Sequence, residues 1–174
     1  MPHGAKQYEG EQITMLTFDD SYFLGETRDG FYIEPMMKCA WAAQLEVMCV
    51  IQHICKKYDI PYFADWGTLL GAVRHGGFIP WDDDIDICMF RDDYQRFLAI
   101  APKELPTEYH INNAYTEEEY SFVFSRLLNA STISYDSKRL SQFHRCPYIV
   151  GIDIFPLDTC LLYTSDAADD RISV

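Results

Sequence analysis

"WGTLLGAVRHGGFIPWDDDIDICMF", Trp66 to Phe90, sets a small-residue turn, an arginine and a histidine ahead of four aspartates in five positions. In a strand, alternate side chains share a face. Asp82, Asp84 and Asp86 are then expected to project one way while Ile85 and Ile87 pack into a core. Two like unit charges about 4 Å apart repel by about 4 kcal/mol at an effective dielectric near 20, against a domain stability of only about 5–15 kcal/mol. Converging carboxylates therefore share a proton or coordinate a metal. Oxygen-only ligands favour Mg2+ or Mn2+. A bare aspartate run is more often a solvated acidic turn, so the neighbouring residues have to decide. A calcium loop begun at Asp82 puts Ile87 where its sharp turn requires glycine, and fails there.

Upstream, Gly67 and Thr68 follow an apolar stretch and open an expected short helix. Backbone N–H groups at such a start, with the Thr68 hydroxyl, suit an anion, and Gly67 would let a phosphate approach the backbone. Arg74 adds a cation suited to phosphate oxygens; by itself it reads equally as a surface arginine. His75 is a structural residue or a secondary contact. Strand, Gly-Thr, short helix and a strand carrying Asp-apolar-Asp together resemble the arrangement of the nucleotidyltransferase superfamily that includes polymerase β.

The rest of the chain bounds this reading. At 174 residues with 48% hydrophobic residues, it is long enough for one domain with a real core. A formal charge of −13 argues against nucleic acid and against an electrostatic membrane anchor. An acidic protein can still hold a phosphorylated ligand through a divalent cation. Cys39, Cys49, Cys55, Cys88, Cys146 and Cys160 lack CxxC spacing and read as buried free thiols. With no signal-peptide h-region and no membrane-spanning run, the cytoplasm is expected, at most near the inner face of the membrane.

Residues 1–12 are polar and expected to be loose. Asp29-Gly30 reads as a hairpin turn, and Pro35 as a helix start. Residues 36–58 read as a long helix with Trp41, Leu45, Met48, Val50, Ile51, Ile54 and Cys55 buried. Lys38, Gln44, Glu46, Gln52, Lys56 and Lys57 are expected to face outward. A short strand follows in "DIPYFAD", then a helix in "RDDYQRFLAIAP" ended by Pro102. Two or three short strands are expected over residues 109–136, and an apolar strand in "YIVGIDIFPLD". The tail "YTSDAADDRISV" abandons aromatic patterning, as a frayed terminus or as sequence foreign to the original reading frame.

The strings "GTLLGAVRHGGFIPWDDDIDI" and "GIDIFPLD" together resemble the LicD family of phosphotransferases, to which the fukutin-type proteins are related. The likeness extends over about residues 27–158, through "RDGFYIEPMMKCAWAAQLEVM", "YDIPYFADWGTLL" and "FSRLLNASTIS". It implies an α+β fold, a nucleotidyltransferase-like mixed β-sheet flanked by helices. It divides the chain into a partly irregular extension (1–26), the domain (27–160) and an atypical tail (161–174). It also implies metal-dependent transfer of a phospho-alcohol group from a CDP-activated donor, CDP-choline first among them, to a hydroxyl of a cell-surface glycan such as bacterial teichoic acid or lipopolysaccharide. Asp153 becomes the third carboxylate. Asp84, Asp86 and Asp153 are then the catalytic set and the ligands of Mg2+ or Mn2+. Gly67, Thr68, Arg74 and Arg126 orient phosphates, and Asp82, Asp83 and His75 support the site from behind. Trp81 faces a base or choline, or packs in the core. Trp66 stands where the family often has a small residue. The chain stops soon after Asp158, where family members usually continue, so a C-terminally shortened domain is expected. Two other readings share these parts: a nucleotidyltransferase that makes an activated donor, and a nucleotide-binding domain without turnover.

Overall fold

The computed structural model describes residues 15–117 and 119–158. The expected loose N-terminus, Cys160 and the tail lie outside them. Among the described residues, the strands are β1 (Glu26–Arg28), β2 (Phe31–Ile33), β3 (Phe63–Ala64), β4 (Asp86–Phe90), β5 (His110–Asn112), β6 (Ser125–Leu128) and β7 (Gly151–Leu157). The helices are α1 (Pro35–Tyr58), α2 (Trp66–Arg74), α3 (Arg91–Glu104) and the short α4 (Ser137–Gln142), with a 3-10 turn at Asp20–Phe23. The fold is α+β.

β1 and β2 form the expected hairpin. Asp29 and Gly30 both adopt positive φ, 51° and 79°, the geometry that a two-residue turn requires. Pro35 opens α1, where its missing N–H has no helical partner to lose. The helix ends on Asp59 in the left-handed conformation, with Lys56 and Lys57 in its last turn.

The main sheet has the order β3-β4-β7-β6-β5, with β4 and β7 parallel and the other neighbours antiparallel. β7, read from sequence as one apolar strand, is the central strand. One face carries Ile87, Met89, Leu127, Ile152 and Ile154 into a single core with Ala43, Val47 and Ile51 of α1 and Tyr94 and Phe97 of α3. Ser125 also faces this side, and its hydroxyl shares a hydrogen bond with that of Tyr94 at 2.5 Å. The opposite face is left for Asp86, Asp153 and Arg126.

Several expectations fail in instructive ways. Lys38, Gln44 and Glu46 are buried rather than outward-facing. The first half of α1 is covered on nearly every side, so its polar residues need partners from distant segments. Lys38 pairs with Glu26 at 3.1 Å. Glu46 accepts from the Leu16 N–H at 2.9 Å and pairs with His144 Nε2 at 2.6 Å. Gln44 donates to the Asp83 carbonyl. Pro102 does not end α3, which runs on to Glu104; it sits in the last turn, where losing one helical hydrogen bond is tolerated. The strand expected to carry Asp82, Asp84 and Asp86 begins only at Asp86. Trp81 is not core but 52% exposed, edge-on to Phe31 and His75. Cys39, Cys55, Cys88 and Cys146 are buried free thiols, while Cys49 is half-buried.

Candidate active site

The site forms where β4, β7 and β6 lie side by side. Asp86 pairs in register with Asp153 across the parallel ladder, and Asp153 pairs with Arg126 across the antiparallel one. Directly opposed residues share a face, so two carboxylates and a guanidinium stand in one row. Their exposures are small for charged groups, 8% for Asp86 and 7% for Asp153. Arg126 grips Asp153 with both arms, Nε to Oδ1 at 2.5 Å and Nη2 to Oδ2 at 2.6 Å. This fork-to-fork geometry is among the strong forms of ion pair. The two residues were expected in separate roles, as phosphate contact and ligand; here they are partners.

Residues 82–85 run into this row without joining a strand. Their carboxylates crowd together, and oxygens of Asp82, Asp83 and Asp84 lie within 4.8 Å of one another. Burial, reinforced by Asp82, Asp83 and Asp153, pushes the Asp84 carboxyl up to about 6. Burial is also the main cause at Asp86, where the charges of Asp84, Asp153, Asp82 and Asp65 add to it and push the carboxyl up to about 7. Asp84 is open to solvent, whereas Asp86 is buried. A divalent cation fits this donor set, because every donor is a carboxylate oxygen and the crowding leaves their charge unbalanced. The oxygens that converge are those of Asp82, Asp83 and Asp84; Asp86 stands beside Asp153 in the row, and Asp153 has both oxygens on Arg126.

α2 delivers the glycine-rich half. Its N-cap Asp65 accepts from the Trp66 N–H at 2.9 Å and donates its own N–H to the Asp86 carbonyl at 3.1 Å, which ties the helix start to β4. Thr68 Oγ1 accepts the Asp86 N–H at 2.8 Å, leaving its hydroxyl proton free to donate. A Cβ on Gly67 would sit 2.3 Å from Asp82 Oδ2. The bare backbone at Gly67 is therefore occupied by a carboxylate. Trp66 starts the helix with φ of +40°, a conformation costing a non-glycine residue about 1–2 kcal/mol. Its ring is 66% exposed and lies 6.2 Å from that of Phe155, which stands two residues beyond Asp153 on the same face of β7.

Not every expected site residue converges. Arg74 lies at the far end of α2, roughly 10 Å along the axis from Gly67 and Thr68, and its Nε donates to His75 Nε2 at 2.8 Å. His75 pairs through Nδ1 with Asp29 of the hairpin turn at 3.0 Å. These two join α2 to the β1–β2 hairpin. Conversely, Trp41 and Gln44 of α1 touch the aspartate segment, and sequence reading assigned neither to the site. The signal was present as a tryptophan and a glutamine three residues apart on one helix, but helical periodicity alone does not say what they face. A cavity of about 420 Å3 opens beside the carboxylates, lined by Asp83, Asp84, Arg126, Asp153, Gln44 and Tyr148 among others.

Comparison with known proteins adds to this geometry. Residues 59–160, more than half of the chain, match the nucleotidyltransferase domain of LicD, FKTN and FKRP. The lipopolysaccharide cholinephosphotransferase LicD of Haemophilus influenzae is 46% identical over 70 residues, 40% of this chain and 26% of that protein. The human ribitol 5-phosphate transferase FKRP is 34% identical over 55 residues, covering 32% of this chain and 11% of FKRP. The mouse ribitol-5-phosphate transferase FKTN is 29% identical over 79 residues, 44% and 17% of the two chains. The chain thus matches about a quarter or less of the length of these relatives. With the Gly-Thr helix, the aspartate segment and the Asp153 strand all inside the matched region, the chain belongs to the LicD family.

Proposed function

We propose that this domain transfers a phospho-alcohol group from a CDP-activated donor to a glycan hydroxyl, with Mg2+ or Mn2+ held by Asp84, Asp86 and Asp153. The observation that carries this reading is the row Asp86–Asp153–Arg126, two buried carboxylates and a guanidinium side by side. Family membership and the cholinephosphotransferase and ribitol phosphate transferase relatives support the choice of group. When bound, the cation would neutralise charge on the donor diphosphate and favour in-line attack.

The chain's own residues supply the rest. The free Thr68 hydroxyl proton donates to a phosphate oxygen near the start of α2. Arg126 holds Asp153 in one orientation through both its oxygens, and its exposed edge is available to the phosphoryl group. In the reaction, the acceptor oxygen bonds to phosphorus as the bond from phosphorus to the CMP oxygen breaks. The acceptor's proton passes to a carboxylate.

Incubation with CDP-choline, Mg2+ and a glycan acceptor is expected to release CMP. Asp84→Asn/Asp86→Asn is expected to lower that release by about a thousandfold, equivalent to about 4 kcal/mol of transition-state stabilisation. Release of pyrophosphate from CTP and phosphocholine, with no CMP from CDP-choline, would replace this reading with a nucleotidyltransferase that makes the activated donor. Metal-dependent binding of CDP-choline with neither product would leave a binding domain without turnover. Unchanged metal-dependent binding in the double variant would remove the metal assignment.

A further inference from the structure

Of the segment 82–85, the sheet binds only Ile85, whose carbonyl accepts the Asp153 N–H at 3.1 Å, and the Asp82 N–H donates to the Ile79 carbonyl at 3.0 Å. Two side chains from one face of α1 hold the carbonyls of Asp82 and Asp83 between these points. Trp41 Nε1 donates to the Asp82 carbonyl at 2.9 Å. Gln44, one turn further on, donates through Nε2 to the Asp83 carbonyl. Residues three apart on a helix stand one above the other, so two donors meet two consecutive carbonyls. Trp41 is itself fixed, buried and stacked on Phe78 with ring centroids 4.7 Å apart and planes 8° from parallel.

Gln44 is an expensive way to fill that space. Its Oε1 is buried with no hydrogen-bond partner, and a buried acceptor left unpaired is destabilising. An apolar residue of the same length would fill the volume without that cost. What the glutamine supplies is its N–H, aimed at the backbone of the aspartate segment. Gln44 also lines the cavity that Asp83, Asp84 and Asp153 line.

We infer that Trp41 and Gln44 are positioning residues for the cation site: by fixing the Asp82 and Asp83 carbonyls on α1, they turn the carboxylates of the segment toward the ion. The inference rests on the metal-dependent reading above. It assigns α1 a part in the site that its helical pattern does not reveal. Outer partners of metal ligands typically change affinity by about 10–100-fold when removed.

The test is Mn2+ binding by calorimetry on the purified chain, beside thermal melting of the metal-free protein. Gln44→Met keeps the length and removes the donor. It is expected to weaken Mn2+ binding by about tenfold or more while the metal-free melting temperature holds or rises, because the orphaned acceptor goes with it. Trp41→Phe is expected to weaken binding in the same direction. Gln52→Met, on the exposed face of the same helix, is the control and is expected to bind as wild type. Wild-type affinity in folded Gln44→Met and Trp41→Phe would overturn the inference and leave the proposed function standing. Failure of the wild-type chain to bind Mn2+ would overturn both. Should either variant lose its native circular dichroism, a Mg2+ titration of the wild type decides. The Trp41 indole N–H resonance is expected to shift, and an unmoved resonance overturns the inference.

Discussion

The two faces of the central strands are built one residue apart and behave oppositely. Ile87, Ile154 and Leu127 point to the helices, whereas Asp86, Asp153 and Arg126 point away from them. On β4 and β7 burial hardly separates the two rows, since Ile87 is 2% exposed and Asp86 8%. Partners do. The isoleucines meet apolar side chains of α1 and α3, so each buried side chain stabilises the fold by about 1.5–3 kcal/mol. Asp86 meets other carboxylates, and its own ionisation is opposed by burial and by their charge. One face stabilises the sheet, and the other holds a tension that a bound cation would relieve. Because side chains alternate, a one-residue slip of β4 would exchange the two roles.

The largest effect on stability is expected on the apolar face. Ile154→Ala removes a fully buried side chain beside Ile87 and should cost about 2–5 kcal/mol, read as a lower midpoint in urea. Mn2+ affinity of the molecules that remain folded is expected to hold, because the charged row faces away. Equal loss of affinity would show that the two faces are not separable.

A smaller effect follows from the charged face. Unfolded, Asp86 ionises near 3.8, and folded it keeps its proton up to about 7. Between these values the folded state binds the extra proton. That contribution to stability is full below pH about 4 and is lost as pH rises through about 7. The metal-free chain is therefore expected to melt at a lower temperature at pH 8 than at pH 5.5, and Mg2+ to restore much of the difference at pH 8. Each pKa unit corresponds to about 1.4 kcal/mol, so the change amounts to at most a few kcal/mol. Asp86→Asn should flatten the profile. A wild-type stability that rises over this range would contradict the tension assigned to this face.

The smallest effect belongs where the helix start meets the aspartates. Gly67→Ala places a methyl 2.3 Å from Asp82 Oδ2, which the carboxylate can escape by rotating. A stability loss of about 1 kcal/mol or less is expected, with a clear drop in Mn2+ affinity. An unchanged affinity would show that the Asp82 carboxylate does not face the ion.

Much of the frame was legible because its signals are local. Asp29-Gly30 specifies a hairpin through its positive φ values, Pro35 opens α1, and the alternation around Asp153 marks β7. The Gly-Thr helix was legible for the same reason. Asp153 was not identifiable as a site residue from its own surroundings, where a satisfied core aspartate is an equal reading; the resemblance to the LicD family singled it out. Arg126 shows the limit from the other side. Its strand was foreseen, yet its grip on Asp153 depends on the register between β6 and β7, which no local pattern encodes.

By itself the sequence determined the hairpin, the long helix, the Gly-Thr helix and the alternation that separates carboxylates from core on β7. These follow from backbone preference and side-chain period, which act within a few residues. Only the tertiary structure decided which partners meet. Lys38 finds Glu26, Glu46 finds His144, and Gln44 and Trp41 hold the aspartate segment, although helical periodicity turned Lys38, Gln44 and Glu46 outward and made Trp41 simple core. Once α1 is enclosed, water is no longer available to its polar groups. Their partners are then set by which distant backbone the sheet brings alongside.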